Sequence, residues 1–324
     1  MSLSPLPLPR PFDRLRLPVI ASPMFLVSRP ALVLAQCKAG IVGAFPSLNA
    51  RPASQYEEWL HEVAEGLAAH DRAHPESPAA PFAVNLIVHK TNQRLDEDLA
   101  ITVKHKVPVV ITSLGAREDV IQAVHGYGGV VLHDIIHVEH ARKAAERGAD
   151  GLIAVAAGAG GHAGRLSPFA LAQEIRAWWK GLLVMAGAIN SGAGILAAQA
   201  MGADLAYLGS AFIAAEEASA DPRYKDMVVA GQAADVVYTD YFSGIPANYL
   251  KASIGLQGFD PENLPATEKG KMDFGVGSRE GPRAWRDIWS AGQGIGGSQA
   301  IEPTARLVER LANEYTAARR RLCA

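Results

Sequence analysis

The sequence predicts an α/β protein, a (β/α)8 TIM barrel that carries a smaller C-terminal segment. Eight short apolar runs alternate with longer stretches of helical pattern, which is the order of βα units around a parallel sheet. Each run is nearly continuous in its apolar character, as expected of strands covered on both faces. The chain of 324 residues also exceeds a barrel of about 250 residues by roughly 70. This surplus calls for a segment outside the barrel.

The eight apolar runs define eight expected strands. Two Gly-Ala-Asp sequences, Gly148–Asp150 and Gly202–Asp204, place a glycine where a helix should end before the sixth and eighth strands. The same tripeptide also occurs in doubly wound folds, so an open parallel sheet is the alternative. The expected strands are Pro18–Ser22, Ile41–Phe45, Phe82–Ile87, Val107–Thr112, Val130–His133, Gly151–Val155, Leu182–Gly187 and Leu205–Gly209.

The alternation of strands and helices stops after Ala218. We therefore expect a barrel over residues 1–218, a substrate-capping segment over 219–299 and a C-terminal helix over 300–324. The capping segment is rich in Gly, Pro and aromatic residues and should be mainly helical and loop, lying over one mouth of the barrel. The last helix should begin near Pro303 and pack on the barrel through an apolar stripe of Leu307, Val308, Leu311, Tyr315 and Leu322.

Composition argues against several classes of protein. The chain has 31 basic and 33 acidic residues and no basic stripe, so nucleic acid is not an expected partner. No stretch approaches the roughly 18 apolar residues of a membrane span, and the N-terminus lacks an apolar signal core. Two cysteines, Cys37 and Cys323, cannot form a disulfide framework. We expect a cytoplasmic protein without a membrane partner; a homodimer is left open.

Glycine-rich sequences follow the last three expected strands. They are Ala156–Gly164 (AAGAGGHAG), Gly187–Gly194 (GAINSGAG) and Gly209–Phe212 (GSAF). Active sites of such barrels lie at the carboxyl ends of the strands, and the loops after strands seven and eight commonly hold a phosphate. Ser191 or Ser210 could cap a helix or donate to that phosphate. The alternative is that these glycines only permit tight turns.

His162 is the leading candidate for a catalytic residue. It stands among Gly160, Gly161 and Gly164, which favours an imidazole exposed in the pocket and able to act as base, acid or anion partner. His133, His137 and His140 have the spacing of a helical metal site. Because His133 should end a strand, the three would not converge, and we expect no metal.

Two polar residues of the expected strands need partners. Asn85 lies within an apolar strand, and burying an amide without hydrogen bonds costs about 1–3 kcal/mol. Its partner could be a planar, polar cofactor at the top of the barrel or the neighbouring backbone. Ser113 follows the fourth strand, and His133 could point into the mouth of the barrel; both are candidate substrate contacts.

These residues together resemble a known family, the flavin-dependent nitronate monooxygenases, formerly called 2-nitropropane dioxygenases. The family shares its fold with flavin enoyl-acyl-carrier-protein reductases and NADH:quinone reductases. The resemblance runs from about Pro18 to Gly297. It is carried in order by PVIASPM, AGIVGA, FAVNL, AGGHAG, MAGAINSG, LGSAFIAAEEA, FSGIPANYL and WSAGQG.

The resemblance implies an oxidoreductase with FMN across the strand ends. His162 would stand beside the reactive edge of the flavin, and the reaction would oxidise an alkyl nitronate with O2 to a carbonyl compound and nitrite. Small-molecule substrate and O2 are thus the implied partners. The implied cofactor-binding residues are Ser22, Pro23 and Met24 along the ring, Asn85 bonded to it, and Gly160, Gly161, Gly187, Ala188, Gly209 and Ser210.

The chain departs from the family pattern in two places. Many relatives have Gln and Glu ahead of the Gly-Gly-His sequence, where this chain has Val155 and Gly158 in an apolar, glycine-rich run. Both arginines of a later Thr-Gly-Arg-Pro-Ala-Arg sequence are also missing, replaced by Ile245 and Asn248. Substrate choice could therefore differ, and Tyr241, Gln293 and Trp289 are further candidates for substrate contact.

Two other functions remain open from the sequence. One is an FMN-dependent NAD(P)H oxidoreductase acting on a quinone or an enoyl thioester. No GxGxxG fingerprint follows a strand, but relatives of this kind bind nicotinamide without one. The other is a flavin-free barrel that binds a phosphorylated metabolite.

Overall fold

Strands alternate with helices along the chain in a computed structural model that describes residues 8–265 and 282–323. Residues 1–7, 266–281 and 324, which the sequence assigned to the barrel, the capping segment and the C-terminal helix, lie outside the described residues. The strands are β1 (Val19–Ala21), β2 (Gly43–Pro46), β3 (Phe82–Ile87), β4 (Val109–Ser113), β5 (Val130–Ile135), β6 (Gly151–Val155), β7 (Gly161–His162), β8 (Leu182–Ala186), β9 (Leu205–Leu208), β10 (Val236–Thr239) and β11 (Ala247–Leu250).

Eleven α-helices follow the strands within the described residues. Three short 3-10 helices, at Ser47–Asn49, Ala233–Asp235 and Gln293–Gly297, complete the regular structure there. The helices are α1 (Pro30–Lys38), α2 (Ala53–Ala73), α3 (Leu95–Lys104), α4 (Glu118–His125), α5 (Val138–Glu146), α6 (Pro168–Arg176), α7 (Gly192–Ala200), α8 (Ser210–Ile213), α9 (Pro222–Ala230), α10 (Lys251–Leu256) and α11 (Thr304–Cys323).

The predicted (β/α)8 barrel is confirmed. Eight parallel strands lie in the order β1-β9-β8-β6-β5-β4-β3-β2. The two ends of this order meet, because Ile20 pairs in parallel with Val42 just before β2. The Ala21 N–H donates to the Val42 carbonyl at 2.7 Å, which continues the hydrogen bonding across the closure. All eight strands overlap the apolar runs in the sequence.

The two Gly-Ala-Asp sequences play the same role, as their repetition suggested. Gly148 and Gly202 end their helices with φ of 93° and 101°, a left-handed conformation that favours glycine. Each following aspartate then accepts a hydrogen bond from the first part of the neighbouring strand. Asp150 accepts from the Val131 N–H at 2.7 Å, and Asp204 accepts from the Leu183 N–H at 2.8 Å.

The inside of the barrel is a packed apolar core rather than a pore. Ile20, Ile111, Leu132, Ile153 and Val184 are fully buried there. Since side chains alternate between the two faces of a strand, the next inward position on each strand lies one layer closer to the carboxyl ends. That layer forms the floor of the candidate site.

The C-terminal segment lies at the carboxyl ends of the barrel strands. Besides α9 and α10, it contains an antiparallel hairpin of β10 and β11, which the sequence analysis did not predict. Strand β11 pairs with β7 in the loop after β6, with Ala247 opposite His162. The segment is therefore joined to the loop of the leading candidate residue. The exact domain boundaries stay a prediction.

Helix α11 packs along α7 and α1, as expected of the final amphipathic helix. Leu307, Val308, Leu311 and Tyr315 are buried, whereas Leu322 is 69% exposed. The apolar stripe therefore ends before Leu322. In the described part of the chain, the helices are too short or too polar to cross a membrane.

Candidate active site

A cavity of about 780 Å³ lies at the carboxyl ends of the barrel strands. Its wall combines strand ends and following loops with residues of the C-terminal segment, so the segment does border the site. Thirteen residues singled out from the sequence line it: Ser22, Pro23, Met24, Asn85, Ser113, His133, Gly160, Gly161, His162, Gly187, Ala188, Gly209 and Ser210.

The three glycine-rich loops meet on one side of this cavity. Gly158–Ala163, Gly187–Ile189 and Gly209–Ser210 all contribute to the wall. Gly160 needs to be glycine, because a Cβ there would lie 2.9 Å from the backbone nitrogen of Gly292. Backbone thus packs directly on backbone at this point of the wall. Such a surface fits a phosphate group held by N–H donors.

The two serines named from the sequence have different roles. Ser191 caps α7, where its Oγ accepts from the Gly194 N–H at 3.0 Å. Glu314 of α11 accepts from the Gly192 N–H at 2.8 Å and further occupies that helix terminus. Ser210 lines the cavity and accepts from the Gly292 N–H at 2.8 Å, so its own O–H remains available as a donor. Ser210 is therefore the better placed of the two for a ligand.

His162 is less exposed than its glycine neighbours suggested. Trp285 of the C-terminal segment packs edge-to-face on the imidazole, with ring centroids 4.9 Å apart. The Nε2 atom is buried, and no described residue lies within hydrogen-bonding distance of it. Burial lowers the pKa of His162 to about 4. The ring is therefore neutral near pH 7, with an unpartnered nitrogen that a ligand could satisfy.

Residues of the C-terminal segment hold the His162 loop in place. The Asn248 amide donates to the Ala159 carbonyl at 2.6 Å, and the Gly161 N–H donates to Ser290 Oγ at 2.7 Å. Tyr238 donates to the Ala163 carbonyl at 2.7 Å. The sequence analysis missed these supports. Asn248 could have been found as Asn85 was, because it is a polar residue in a fully buried strand.

Asn85 finds its partners within the protein. Its Nδ2 group donates to Ser113 Oγ at 2.7 Å and to the Ile111 carbonyl at 3.1 Å. The sequence left two possible partners for Asn85, a cofactor or the neighbouring backbone, and the Ile111 carbonyl is a partner of the second kind. Both amide hydrogens are then used, and Oδ1 is the atom left for a ligand in the cavity. Ser113 contributes to this arrangement as a partner of Asn85.

Asp134 is a functional candidate that the sequence analysis missed. It lines the cavity and follows the alternation of Val130 and Leu132, which points its side chain into the barrel. Ser113 and the Leu114 backbone N–H donate hydrogen bonds to its carboxylate. Burial nevertheless raises its pKa to about 6. The alternation of side chains along β5 would have indicated from the sequence that Asp134 points into the barrel.

His133 borders the cavity from the other face of β5. Its Nδ1 atom lies 2.7 Å from Thr112 Oγ1, and burial lowers its pKa to about 4. His137 caps α5 by accepting from the His140 N–H at 3.3 Å, and the two rings lie tilted against each other with centroids 3.7 Å apart. The three histidines therefore have separate structural roles.

Among the three candidates from the C-terminal segment, the structure brings none into the cavity wall. Tyr241 packs on Phe242 and Phe259. Trp289 stacks on Tyr224, with centroids 5.2 Å apart. Gln293 donates from its backbone N–H to the Gly158 carbonyl at 2.9 Å. The segment instead contributes Tyr224, Tyr238, Ile245, Pro246, Trp285, Ser290, Gly292 and Gly294 to the wall.

The charges around the cavity are uneven. Within the described lining, Asp134 is the single carboxylate, whereas two cationic side chains border the mouth, Lys143 of α5 and Arg147 directly after that helix. Both cationic side chains are exposed, and Arg147 donates to the Ala116 carbonyl at 2.7 Å. A ligand with negative charge is favoured at this mouth.

Comparison with known proteins agrees with the geometry. The nitronate monooxygenase family model matches residues 11–314. A nitronate monooxygenase from Paraburkholderia phytofirmans is 28% identical, with 92% of each chain covered.

Two solved structures share the fold. Nitroalkane oxidase from Streptomyces ansochromogenes superposes with a TM-score of 0.74 at 24% identity, covering 95% of this chain and 99% of that one. FabK from Thermotoga maritima gives 0.75 at 23% identity, with 95% of each chain covered. The family match over nearly the whole chain, together with the strand-end cavity, identifies this protein as a member of the nitronate monooxygenase family of flavin-dependent oxidoreductases.

Proposed function

We propose that this chain uses FMN to oxidise alkyl nitronates with O2, giving a carbonyl compound and nitrite. One observation carries the proposal: a neutral His162 with an unpartnered, buried Nε2 borders a cavity at the point where three glycine-rich loops, including its own, meet. The family membership agrees with this reading, and the reaction itself is our proposal.

The residues at the strand ends fit FMN. The Gly160, Gly187 and Gly209 loops offer backbone at the surface for the phosphate, with Ser210 as a hydroxyl donor. Asn85 Oδ1 is left as an acceptor for an N–H group of the ring, and Ser22, Pro23 and Met24 lie along the wall beside it. When bound, the flavin supplies the electron-accepting group of the reaction.

His162 would bind the nitronate rather than take a proton from it. A nitronate is already an anion, so no carbon acid has to be deprotonated. A neutral imidazole can donate its N–H to a nitronate oxygen without a buried positive charge. Trp285 excludes water beside that hydrogen bond, which strengthens it.

Oxygen uptake and nitrite release test the proposal. The flavin-loaded protein is mixed with a short alkyl nitronate under air, and both quantities are followed. We expect both in the wild type and a loss on the order of 100-fold in His162→Gln, the cost of removing one hydrogen-bond donor to charge in the transition state. His140→Gln is the control, because His140 borders the mouth as an exposed residue. Wild-type protein that takes up no oxygen and releases no nitrite would refute the proposal.

A second candidate is an FMN-dependent NAD(P)H oxidoreductase acting on a quinone or an enoyl thioester. The observation that favours it is the cationic mouth, since a short alkyl nitronate has no need of Lys143 and Arg147. The phosphates of a nicotinamide cofactor or of a thioester carrier would use them. Anaerobic bleaching of the flavin by NADH, weakened in Lys143→Gln with Arg147→Gln, would support this function over nitronate oxidation.

A further inference from the structure

A row of polar side chains crosses the floor of the cavity where β3, β4 and β5 end. Asn85, Ser113 and Asp134 each occupy the inward position one layer above the apolar barrel core. Ser113 hydrogen-bonds to both of the others. The three side chains therefore form one connected chain at the bottom of the candidate site.

When Asp134 is ionised, the donors and acceptors of this row of three side chains can be arranged in only one way. A carboxylate only accepts, so the Ser113 O–H points at Asp134. Ser113 Oγ is then an acceptor for Asn85, which agrees with the Nδ2 group lying 2.7 Å away. The second Asn85 hydrogen donates to the Ile111 carbonyl at 3.1 Å. The charge on Asp134 thereby turns Asn85 Oδ1 to the ligand side.

Asp134 is also the carboxylate closest to any ligand on the floor, since no other Asp or Glu of the described residues borders the cavity. From β9, Tyr207 faces it and is itself hydrogen-bonded to Ser22. His133 and His162 are neutral near pH 7, so they do not balance its charge. The other titratable or charged side chains of the wall are His89, His140, Lys143, Arg147, Tyr224 and Tyr238.

We propose that Asp134 is a positioning residue for the bound flavin: through Ser113 it keeps the Asn85 carbonyl oxygen turned toward the cavity, and its carboxylate charge lowers the reduction potential of the flavin. The inference rests on the proposed function for the presence of the flavin. It assigns to Asp134 a role in setting the electron affinity of the site, with no proton transfer to substrate.

The electrostatic sign gives the pH dependence. Reduction adds electron density to a flavin, and a nearby carboxylate disfavours it, so the potential is lowest when Asp134 is ionised. Burial raises the Asp134 pKa to about 6, so the carboxylate is ionised above that pH and neutral well below it. Reduction of the flavin must in turn raise the pKa of Asp134, because the coupling between two sites is reciprocal.

The test compares midpoint potentials of the flavin-loaded protein, measured against redox dyes from about pH 5 to about pH 8, a range that spans the titration. We expect Asp134→Asn to have a more positive potential than wild type at the alkaline end. The difference should shrink toward zero at the acid end, where wild-type Asp134 is protonated. Equal potentials at the alkaline end, or a difference independent of pH, would overturn the proposal.

Two further variants separate charge from orientation. Glu139→Gln removes one negative charge from the exposed face of α5, outside the cavity wall, and should leave the potential unchanged. Ser113→Ala keeps the Asp134 charge but breaks the row, so it should weaken flavin binding at least 10-fold while retaining the pH-dependent potential. A Ser113→Ala protein with wild-type flavin affinity would overturn the orienting role.

An infrared measurement on wild-type protein decides the case if Asp134→Asn does not fold. A protonated-carboxyl band should grow as the pH falls through about 6, and its midpoint should move to higher pH on reduction of the flavin. An unchanged midpoint would refute the coupling. A protein that takes up no flavin would overturn both proposals. A flavin-loaded protein that does not oxidise nitronates would overturn the proposed reaction alone.

Discussion

Ser290 offers the sharpest test of how the C-terminal segment controls the active site. Its Oγ accepts from the Gly161 N–H at 2.7 Å and donates to the Asn248 carbonyl. Asn248 in turn holds the Ala159 carbonyl at 2.6 Å. One hydroxyl therefore connects the capping hairpin to the loop that carries His162. Ser290→Ala removes this connection without adding bulk.

The expected magnitude follows from the groups left unpaired. The variant leaves one N–H and one carbonyl without their partner, and each buried unsatisfied group costs about 1–3 kcal/mol. The two groups together would cost about 2–6 kcal/mol. Because Ser290 borders the cavity, water can replace part of the loss, and we expect a total near the lower end, about 2 kcal/mol. Nitronate oxidation should fall more steeply, on the order of 100-fold in kcat/KM, because a misplaced catalytic group near 1 Å out of position has that cost.

The matched control is Ser243→Ala. Ser243 is buried in the same segment and donates to the Ile245 carbonyl at 2.8 Å, and its hydrogen bonds to Ile245 and Tyr249 stay within the segment. Urea unfolding and steady-state oxygen uptake are measured for both variants. We expect similar losses of unfolding free energy and a large loss of activity only in Ser290→Ala. Equal activities in the two variants would refute the positioning role of Ser290.

Three further predictions concern burial and charge. Burial lowers the pKa of His133 from 6.5 to about 4 in the folded state, so this residue contributes stability that is present above pH 6.5 and lost as the pH falls toward 4. Over that range the free energy of unfolding of wild type, relative to His133→Gln, should drop by up to about 3 kcal/mol. A difference that stays constant with pH would contradict this prediction. Trp285→Ala should expose His162 and raise its pKa toward the ordinary value, which NMR titration of the ring would show; an unmoved pKa would mean that other groups bury it. Glu314→Gln weakens the hydrogen bond from the Gly192 N–H and should lower the free energy of unfolding by about 1 kcal/mol in urea titrations, without a change in nitronate oxidation; lost oxidation would contradict a purely structural role.

The barrel could be predicted because its strands are covered on both faces and are therefore apolar almost throughout. The glycine loops were equally readable, since a barrel fixes which ends of its strands meet. The hairpin of β10 and β11 was not, because β11 is short and its pairing partner His162 lies far away in sequence. The glycine-rich sequence around His162 predicted an exposed imidazole, but His162 is shielded by Trp285, a long-range contact that no local pattern encodes.

Asp134 illustrates the remaining difference between pattern and site. An apolar run was read as ending at His133, which left the next residue outside the strand, although β5 continues to Ile135. Because the strand continues past His133, alternation from the inward Leu132 places Asp134 inward and His133 on the other face. Asp134 was therefore not predicted because the expected strand ended two residues too early, although the strand itself was predicted correctly.

The two departures from the family pattern acquire a physical meaning in this arrangement. Where relatives have an arginine, Asn248 is buried at 2% exposure and holds the Ala159 carbonyl, so it supports the loop instead of offering a charge to substrate. Ile245, in place of the other arginine, presents an apolar side chain to the cavity. The segment therefore brings no cation to the wall within the described residues, and the cations of the wall are Lys143 of α5 and Arg147 directly after that helix. A substrate that carries a second anionic group, besides the nitronate bound at His162, should place that group toward Lys143 and Arg147, so we expect these two residues to influence substrate selectivity.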